Sequence, residues 1–434
     1  MSEFTAAGII GIVALIVIFF TGIPVAYAMG IVGFIGYSYL TSIDAGLRML
    51  ALDIYGVFSS YGLTLIPLFV FMGYIAFYAG VSRSLYDAAY TCLGRIRGGL
   101  AMATVAACSA FGAVCGSATA TTATMGTIGL PEMKRYGYGP ELATGSVASG
   151  GGLGSLMPPS VVLIVYGLLT EQSIGKLFVA SIVPAIFITT LFCIAIYIFC
   201  LIKPAQGVKG EKFSIGQMLR SLKELWETLS IFTIVMGGLI FGFFTPTKSG
   251  AVGSMAILLI VVLRRKLTWQ DFVASIYGTL KISCMVLMLI AGATIFGHFL
   301  ALSRIPMDVA GLVQGLPWPS WVIMGIICVI YLIGGCFIDS LAMMMLTVPI
   351  FFPIVVNLGY DPIWFGIIIV LVTHMGIITP PVGISVYIIR GIAPDVPLTT
   401  IFKGCLPFLI ALMVGVAAMI AFPEIVTGFP SIFE

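Results

Sequence analysis

GAVCGSATATTATMGTIGLPEMKRYGYGPELATGSVASGGGLGSLMPP, residues 112–159, is a tract of Gly, Ala, Ser and Thr inside an otherwise strongly apolar chain. Its frame returns later. Gly334-Gly335-Cys336-Phe337-Ile338-Asp339-Ser340 echoes Gly112 to Ser117. Pro353, Tyr360, Pro362 and Pro380-Pro381 answer Pro131, Tyr138, Pro140 and Pro158-Pro159 at a constant offset of 222 residues. Upstream, Ser82-Arg83, Asp87 and Gly94 match Ser303-Arg304, Asp308 and Gly315 at an offset of 221. This is the pattern of a duplicated segment. Apolar segments interrupted by Gly and Pro at matching places in two halves point to a transporter's binding site.

The 434 residues are 60% hydrophobic and 9% charged, with a mean hydropathy of +1.17. A soluble domain carries roughly 25% charged residues, so the solvent for most of this surface is lipid. Each crossing needs about 20 apolar residues, which allows many crossings. The nine cysteines lie in or at the ends of apolar runs, with no close CxxC pair; metal clusters and a disulfide frame are not expected. No cleavable leader is expected either, since no basic region precedes the first apolar run, residues 5–21. No catalytic grouping, phosphate loop or nucleic-acid patch stands out, so the chain is not expected to be an enzyme or to bind nucleic acid or a cofactor.

Charge sets the expected topology. Two apolar runs of about 15 residues, from Leu100 and to Leu130, flank a break at 112–118, with Arg95 and Arg97 before them and Lys134-Arg135 after. Lys and Arg favour the cytoplasm, so the pair should enter and leave on that side as a re-entrant hairpin. Irregular backbone at mid-membrane survives only within protein or a polar cavity. The second short pair, 318–335 and 340–357, has no Lys or Arg in its flanks and should open outward. Residues 140–169 and 362–392 read as crossings broken near Ser149–Pro159 and His374–Pro381. Thirteen of the 20 Lys and Arg fall in segments assigned to the cytoplasm, including Lys209 and Lys212, and four (Arg48, Lys176, Lys248 and Arg304) fall outside. The expected fold is an all-α polytopic membrane protein with an inverted-topology repeat, two re-entrant helical hairpins and two broken transmembrane helices.

The expected division follows. Residues 1–80 and 228–301 are scaffold helices. Residues 81–95 and 302–316 are amphipathic arms lying in the headgroup plane, with Gly98 and Gly315 near the start of the hairpins. Residues 96–202 (hairpin about 98–131, broken helix 140–169) and 317–423 (hairpin about 318–357, broken helix 362–392) form a transport domain. Residues 203–227 are a cytoplasmic loop.

Breaks release backbone carbonyls, and half-helix N-termini favour anions. Carbonyls and hydroxyls are hard donors suited to Na⁺. The candidate ion ligands are Gly112, Ser117, Ser149, Gly152, Gly335, Asp339, Thr373, Gly376 and Thr379. Candidate substrate contacts are Ser117, Ala118, Thr119, Gly154, Ser155 and Pro158 in the first repeat, and Ser340, Thr379, Pro380 and Gly383 in the second. Such clusters also serve close helix packing. Asp339, the one carboxylate within a hairpin, reads either as a functional group at depth or as a helix cap. His374 reads as a proton carrier or a packed ring, His298 as structural, and Arg390 as an anion attractor or a snorkelling side chain.

GAVCGSATATTATMGTIGLPEMKRYGY, GGLGSLMPPSVVLIVYG followed by SIGKLF, and LGYDPIWFGIIIVLVTHMGIITPPVGISVY together resemble the large membrane subunit of the tripartite ATP-independent periplasmic (TRAP) transporters, over nearly the whole chain. The wider likeness is to the ion transporter superfamily. The resemblance implies an elevator-type secondary transporter in the bacterial inner membrane. It implies Na⁺-driven import of an organic acid delivered by a periplasmic substrate-binding protein, with a small four-helix membrane subunit, here expected as a separate polypeptide, completing the scaffold. The first tip departs from the family's frequent SGS in having Cys115-Gly116-Ser117, which leaves Ser117 the firmer ligand candidate. A stand-alone Na⁺- or H⁺-coupled carboxylate symporter of the related anion family is the alternative.

Overall fold

The structure is a computed structural model that describes residues 3–19, 21–208, 210, 213–314 and 317–430. Lys209, Lys212 and Gly315 lie outside them. The described residues are helical, with no strand. The first helices are α1 (Glu3–Phe19), α2 (Val25–Leu40), α3 (Ile43–Ser59), α4 (Leu65–Tyr78) and α5 (Val81–Leu93). Then come α6 (Gly99–Cys115), α7 (Ala118–Arg135), α8 (Pro140–Gly151), α9 (Val161–Leu169) and α10 (Ile174–Ile202). α11 (Ile215–Glu224), α12 (Trp226–Ile240), α13 (Pro246–Leu263), α14 (Trp269–Leu302) and α15 (Ile305–Gln314) follow. The chain ends in α16 (Ser320–Gly335), α17 (Ser340–Asn357), α18 (Pro362–Ile377), α19 (Ile384–Ile392), α20 (Leu398–Ala421) and α21 (Glu424–Thr427).

Among the described residues, five helices (α10, α13, α14, α17 and α20) are long and apolar enough to cross a membrane. At about 1.5 Å per residue, α9 and α19, with nine residues each, reach less than half of an apolar core about 30 Å thick. Each therefore needs the preceding helix, α8 or α18, to complete a crossing. α3 meets the helical stretch Gly62–Tyr78 at 53°.

Local chemistry sets the boundaries, and sets them alike in the two repeats. α7 and α17 both end at a left-handed glycine, Gly137 at φ +75° and Gly359 at φ +83°. The next residue in each case closes the turn: Tyr138 N donates to Met133 O at 2.9 Å and Tyr360 N to Val355 O at 3.2 Å. Pro140 and Pro362 then open α8 and α18 at the first turn, where a missing N–H costs nothing. Both Pro-Pro pairs carry a cis bond.

α2, α4, α13 and α14 pack into one group, and α6 to α10 pack with α16 to α20 into another. Small residues bring the axes close. A Cβ on Gly33 would lie 2.7 Å from Phe296 Cα, and one on Gly145 2.1 Å from Gly404 O. α5 packs against α6 and α11, and α15 against α17 and α1. α4 meets α6, and α14 meets α17, where the groups touch.

Two contacts fix the relative direction of the broken crossings. Lys134, at the end of α7, pairs with Asp395, just beyond α19, at 2.8 Å. Tyr166 Oη, in α9, donates to Pro362 O, at the start of α18, at 2.5 Å. So α8–α9 ends where α18 begins, and α19 ends near where α8 begins.

Candidate functional site

Each hairpin turns in a few residues. Gly116 ends α6 at φ +65°, and Ser117 caps α7 by accepting from Ala120 N at 3.4 Å. In the second hairpin Cys336 to Asp339 make the turn, and Asp339 Oδ2 caps α17 by accepting from Leu341 N at 3.2 Å. Each tip is docked on the break in its own repeat. Gly116 O accepts from Val161 N at 3.3 Å, and Cys336 O accepts from Gly383 N at 3.1 Å. Beside those bonds the backbones meet directly. A Cβ on Gly112 would fall 2.7 Å from Gly154 Cα, and one on Gly376 2.5 Å from Gly335 C. Gly154 and Gly376 are 222 residues apart, so the same glycine contact is built twice.

The breaks are shorter than the sequence indicated. α8 runs through Gly151 and continues as a 3-10 turn to Ser155, and α18 runs through Ile377. Ser149, Thr373, His374 and Gly376 are therefore helical and do not belong to the irregular stretches, because no proline removes a backbone donor before Pro158 and Pro380. Several carbonyls expected to be free are engaged. Gly112 O accepts from Gly116 N at 2.8 Å, Gly152 O from Ser155 Oγ at 2.8 Å, and Gly376 O from Thr379 N at 2.9 Å. Thr373 Oγ1 donates back to Ile369 O and Val370 O, and Thr379 Oγ1 to Met375 O.

Both tips face one cavity of about 440 Å³. Its polar wall is Ser117, Thr119, Thr124, Ser155, Asp339 and Ser340, with Ala118 among them. Facing it, the other helix group contributes Val70, Tyr74 and Phe77 of α4 and Ile282 and Met285 of α14, while Phe111, Val161, Val162 and Leu341 add apolar surface from the tips' own group. Gly73 lets α4 approach, since a Cβ there would be 3.1 Å from Cys115 Cα. Ser117 Oγ and Thr119 Oγ1 are 3.2 Å apart. Asp339 is the only carboxylate on the wall. Gly154, Pro158, Thr379, Pro380 and Gly383 are not on it; Pro380 is exposed elsewhere.

Among the described residues, four buried hydroxyls in or near the tips and breaks have no hydrogen-bond partner: Thr121 Oγ1, Ser149 Oγ, Ser340 Oγ and Ser385 Oγ. Leaving one unmet costs about 1–3 kcal/mol. Thr121 was not among the candidates. Its signal is the helical step of four from Ser117, which puts both side chains on one face of α7.

His374 crosses between the repeats. Its Nε2 lies 2.8 Å from Ser149 O; facing a carbonyl, Nε2 carries the hydrogen. Its ring meets Phe192 edge-on, and a Cβ on Gly152 would lie 2.0 Å from Nε2. Arg390 donates to Pro394 O and Val396 O, binding the chain that leaves α19. His298 Nδ1 lies 2.8 Å from Asp53 Oδ2, tying α14 to α3. Hydrogen bonding to Lys134 holds the Asp395 carboxyl below its usual range.

Comparison with known proteins agrees with this geometry. A family model described as "Tripartite ATP-independent periplasmic transporter, DctM component" matches residues 12–425. A C4-dicarboxylate TRAP transporter large permease protein of Pseudomonas aeruginosa is 34% identical, over 89% of this chain and 90% of the relative. A sialic acid TRAP transporter large permease protein of Vibrio cholerae is 30% identical, over 95% of this chain and 96% of the relative. Among solved structures, the YdaH transporter of Alcanivorax borkumensis superposes with a TM-score of 0.63 at 14% identity, covering 88% of this chain and 90% of that one. That last likeness concerns the fold.

Proposed function

This chain belongs to the DctM component family of the tripartite ATP-independent periplasmic transporters, and from that premise we propose that it imports an organic acid across the bacterial inner membrane, driven by Na⁺. The substrate reaches it from a periplasmic binding protein, and a small four-helix membrane subunit packs on its scaffold helices. One observation carries the reading: both hairpin tips, each docked on a broken helix, present hydroxyls and a single carboxylate to one cavity walled on its other side by α4 and α14. Ions held behind the tips would fix the tips' positions, and the N-termini of α7 and α17 would face the substrate carboxylate.

The wall's composition supports an elevator mechanism. Its serine and threonine hydroxyls and its carboxylate all belong to one helix group, while the other group adds only α4 and α14 residues facing them, so sliding one past the other would carry the polar groups through the membrane. The test is reconstitution into vesicles. Labelled carboxylate should accumulate only when this chain, the small subunit, the binding protein and an inward Na⁺ gradient are all present. Uptake by this chain alone would establish the stand-alone symporter instead.

The antiparallel run of the broken crossings and the charge pattern support an inverted repeat with re-entrant hairpins. Arg135→Cys and Asn357→Cys, exposed and 222 residues apart, are then expected to label from opposite faces of the membrane with an impermeant maleimide, in a background without the nine natural cysteines. Labelling from the same face would end the inverted reading.

A further inference from the structure

A second concave feature lies away from the site. It is a groove of about 760 Å³ between α10 and α20. On α10 its wall is Leu191, Ile194, Ile198 and Ile202, and on α20 it is Leu406, Ile410 and Val414. These recur at three- and four-residue steps, so each helix offers one straight apolar stripe. Ile194, Ile198, Ile410 and Val414 are exposed.

The groove has a closed end and a charged end. It closes where Gly415 meets Ile188, since a Cβ on that glycine would be 2.3 Å from Ile188 Cδ1. From Leu191 and Val414, the lining residues nearest that end, the groove runs twelve residues to Lys203 and eleven to Lys403. At about 1.5 Å per residue that is about 17 Å, close to half of the apolar core of about 30 Å. Lys203 is engaged with Glu141, which also lines the groove, at 2.7 Å. Lys403 is exposed and has no acidic partner among the described residues. The local sum is one uncompensated positive charge at the mouth of a groove one leaflet deep.

We propose that this groove is a binding site for an anionic glycerophospholipid of the leaflet on the Lys203 side, with the headgroup phosphate on Lys403 and an acyl chain along the α10 and α20 stripes. Depth and charge select this occupant. A transmembrane helix would need a furrow across both leaflets, and this one stops halfway. A zwitterionic lipid offers Lys403 the same phosphate but with its charge offset by the headgroup cation, so it gains less, whereas basic pockets between membrane helices on the cytoplasmic side suit anionic headgroups.

The full chain, purified in detergent and incubated with phosphatidylglycerol or phosphatidylcholine, is read by native mass spectrometry. The wild-type protein should retain phosphatidylglycerol in preference to phosphatidylcholine. Lys403→Ala should retain about fivefold less, the weight of one basic residue at a membrane surface. Ile194→Trp and Ile410→Trp, which fill the groove from opposite walls at exposed positions without changing charge, should each lower retention to the level of phosphatidylcholine. Equal retention of the two lipids by wild type, or undiminished phosphatidylglycerol in both tryptophan variants, would overturn the assignment. So would a cross-link from Ile410→Cys to the small subunit in the assembled transporter, which would mark the groove as a protein interface.

Discussion

Asp339→Asn is expected to raise the Na⁺ concentration needed for half-maximal uptake about tenfold or more. Asn caps a helix about as well as Asp, so the bond to Leu341 N and the start of α17 should survive. The charge is what changes. Asp339 is the only carboxylate on the cavity wall and stands beside Ser340, whose hydroxyl is buried without a partner. A hydrogen bond to a charged group contributes about 1.5–3 kcal/mol, which sets the tenfold floor if an ion relies on this oxygen. Ser117→Ala should act in the same direction more weakly, since it removes a neutral donor and the α7 cap together. Measuring uptake against Na⁺ at saturating loaded binding protein separates ion binding from docking. An unchanged Na⁺ requirement in Asp339→Asn would reduce Asp339 to a helix cap.

The largest loss per atom added is expected at the paired glycines. Gly376→Ala places a methyl 2.5 Å from Gly335 C and 2.6 Å from Gly335 Cα. These are backbone atoms, with no flexible side chain to yield, so the second tip must lift off its break. The bond from Gly383 N to Cys336 O lies alongside and would stretch with it. Overpacking of this kind costs about 1–3 kcal/mol, enough to move the tip's equilibrium position by about five- to 150-fold in population. Uptake should fall more than tenfold, with the protein still inserted and folded. Gly112→Ala should do the same at the first tip through Gly154. The control is Gly391→Ala in α19, where no atom lies within 4 Å of the new methyl and helix propensity gains up to about 1 kcal/mol. If the control loses as much uptake as Gly376→Ala, the tip contact is not what matters.

The repeat was legible because Pro, Gly and Tyr at turns report backbone chemistry directly. Pro140 and Pro362 open helices, and Gly137 and Gly359 close them, as a proline at a first turn and a glycine past a last turn do generally. Both tips could be placed for the same reason. The bounds of the breaks could not. Ser149 to Gly151 and Thr373 to Gly376 are as tolerable inside a buried helix as beyond its end, and tertiary packing decided for the helix. The facing cavity wall was also hidden. Tyr74 and Met285 are separated by more than 200 residues and carry no mark distinguishing them from other membrane-helix residues. Thr121 could have been found from its spacing to Ser117, but it stands among four other threonines from Thr119 to Thr127; Thr122 is as buried, and only the lack of a hydrogen-bond partner sets Thr121 apart from it.

His374 and Gly152 occupy equivalent positions in the two repeats, 222 residues apart, and they touch. Under the proposed two-fold repeat, a position that touches its own counterpart lies on the axis relating the halves, and space on an axis is not duplicated. Two imidazoles would collide there, and two glycines would leave a void and a lone Ser149 carbonyl. The pair must therefore be unequal. Any enlargement at 152 demands a reduction at 374, so at this one point the two proposed repeats are bound to differ, and each fixes what the other is permitted to become.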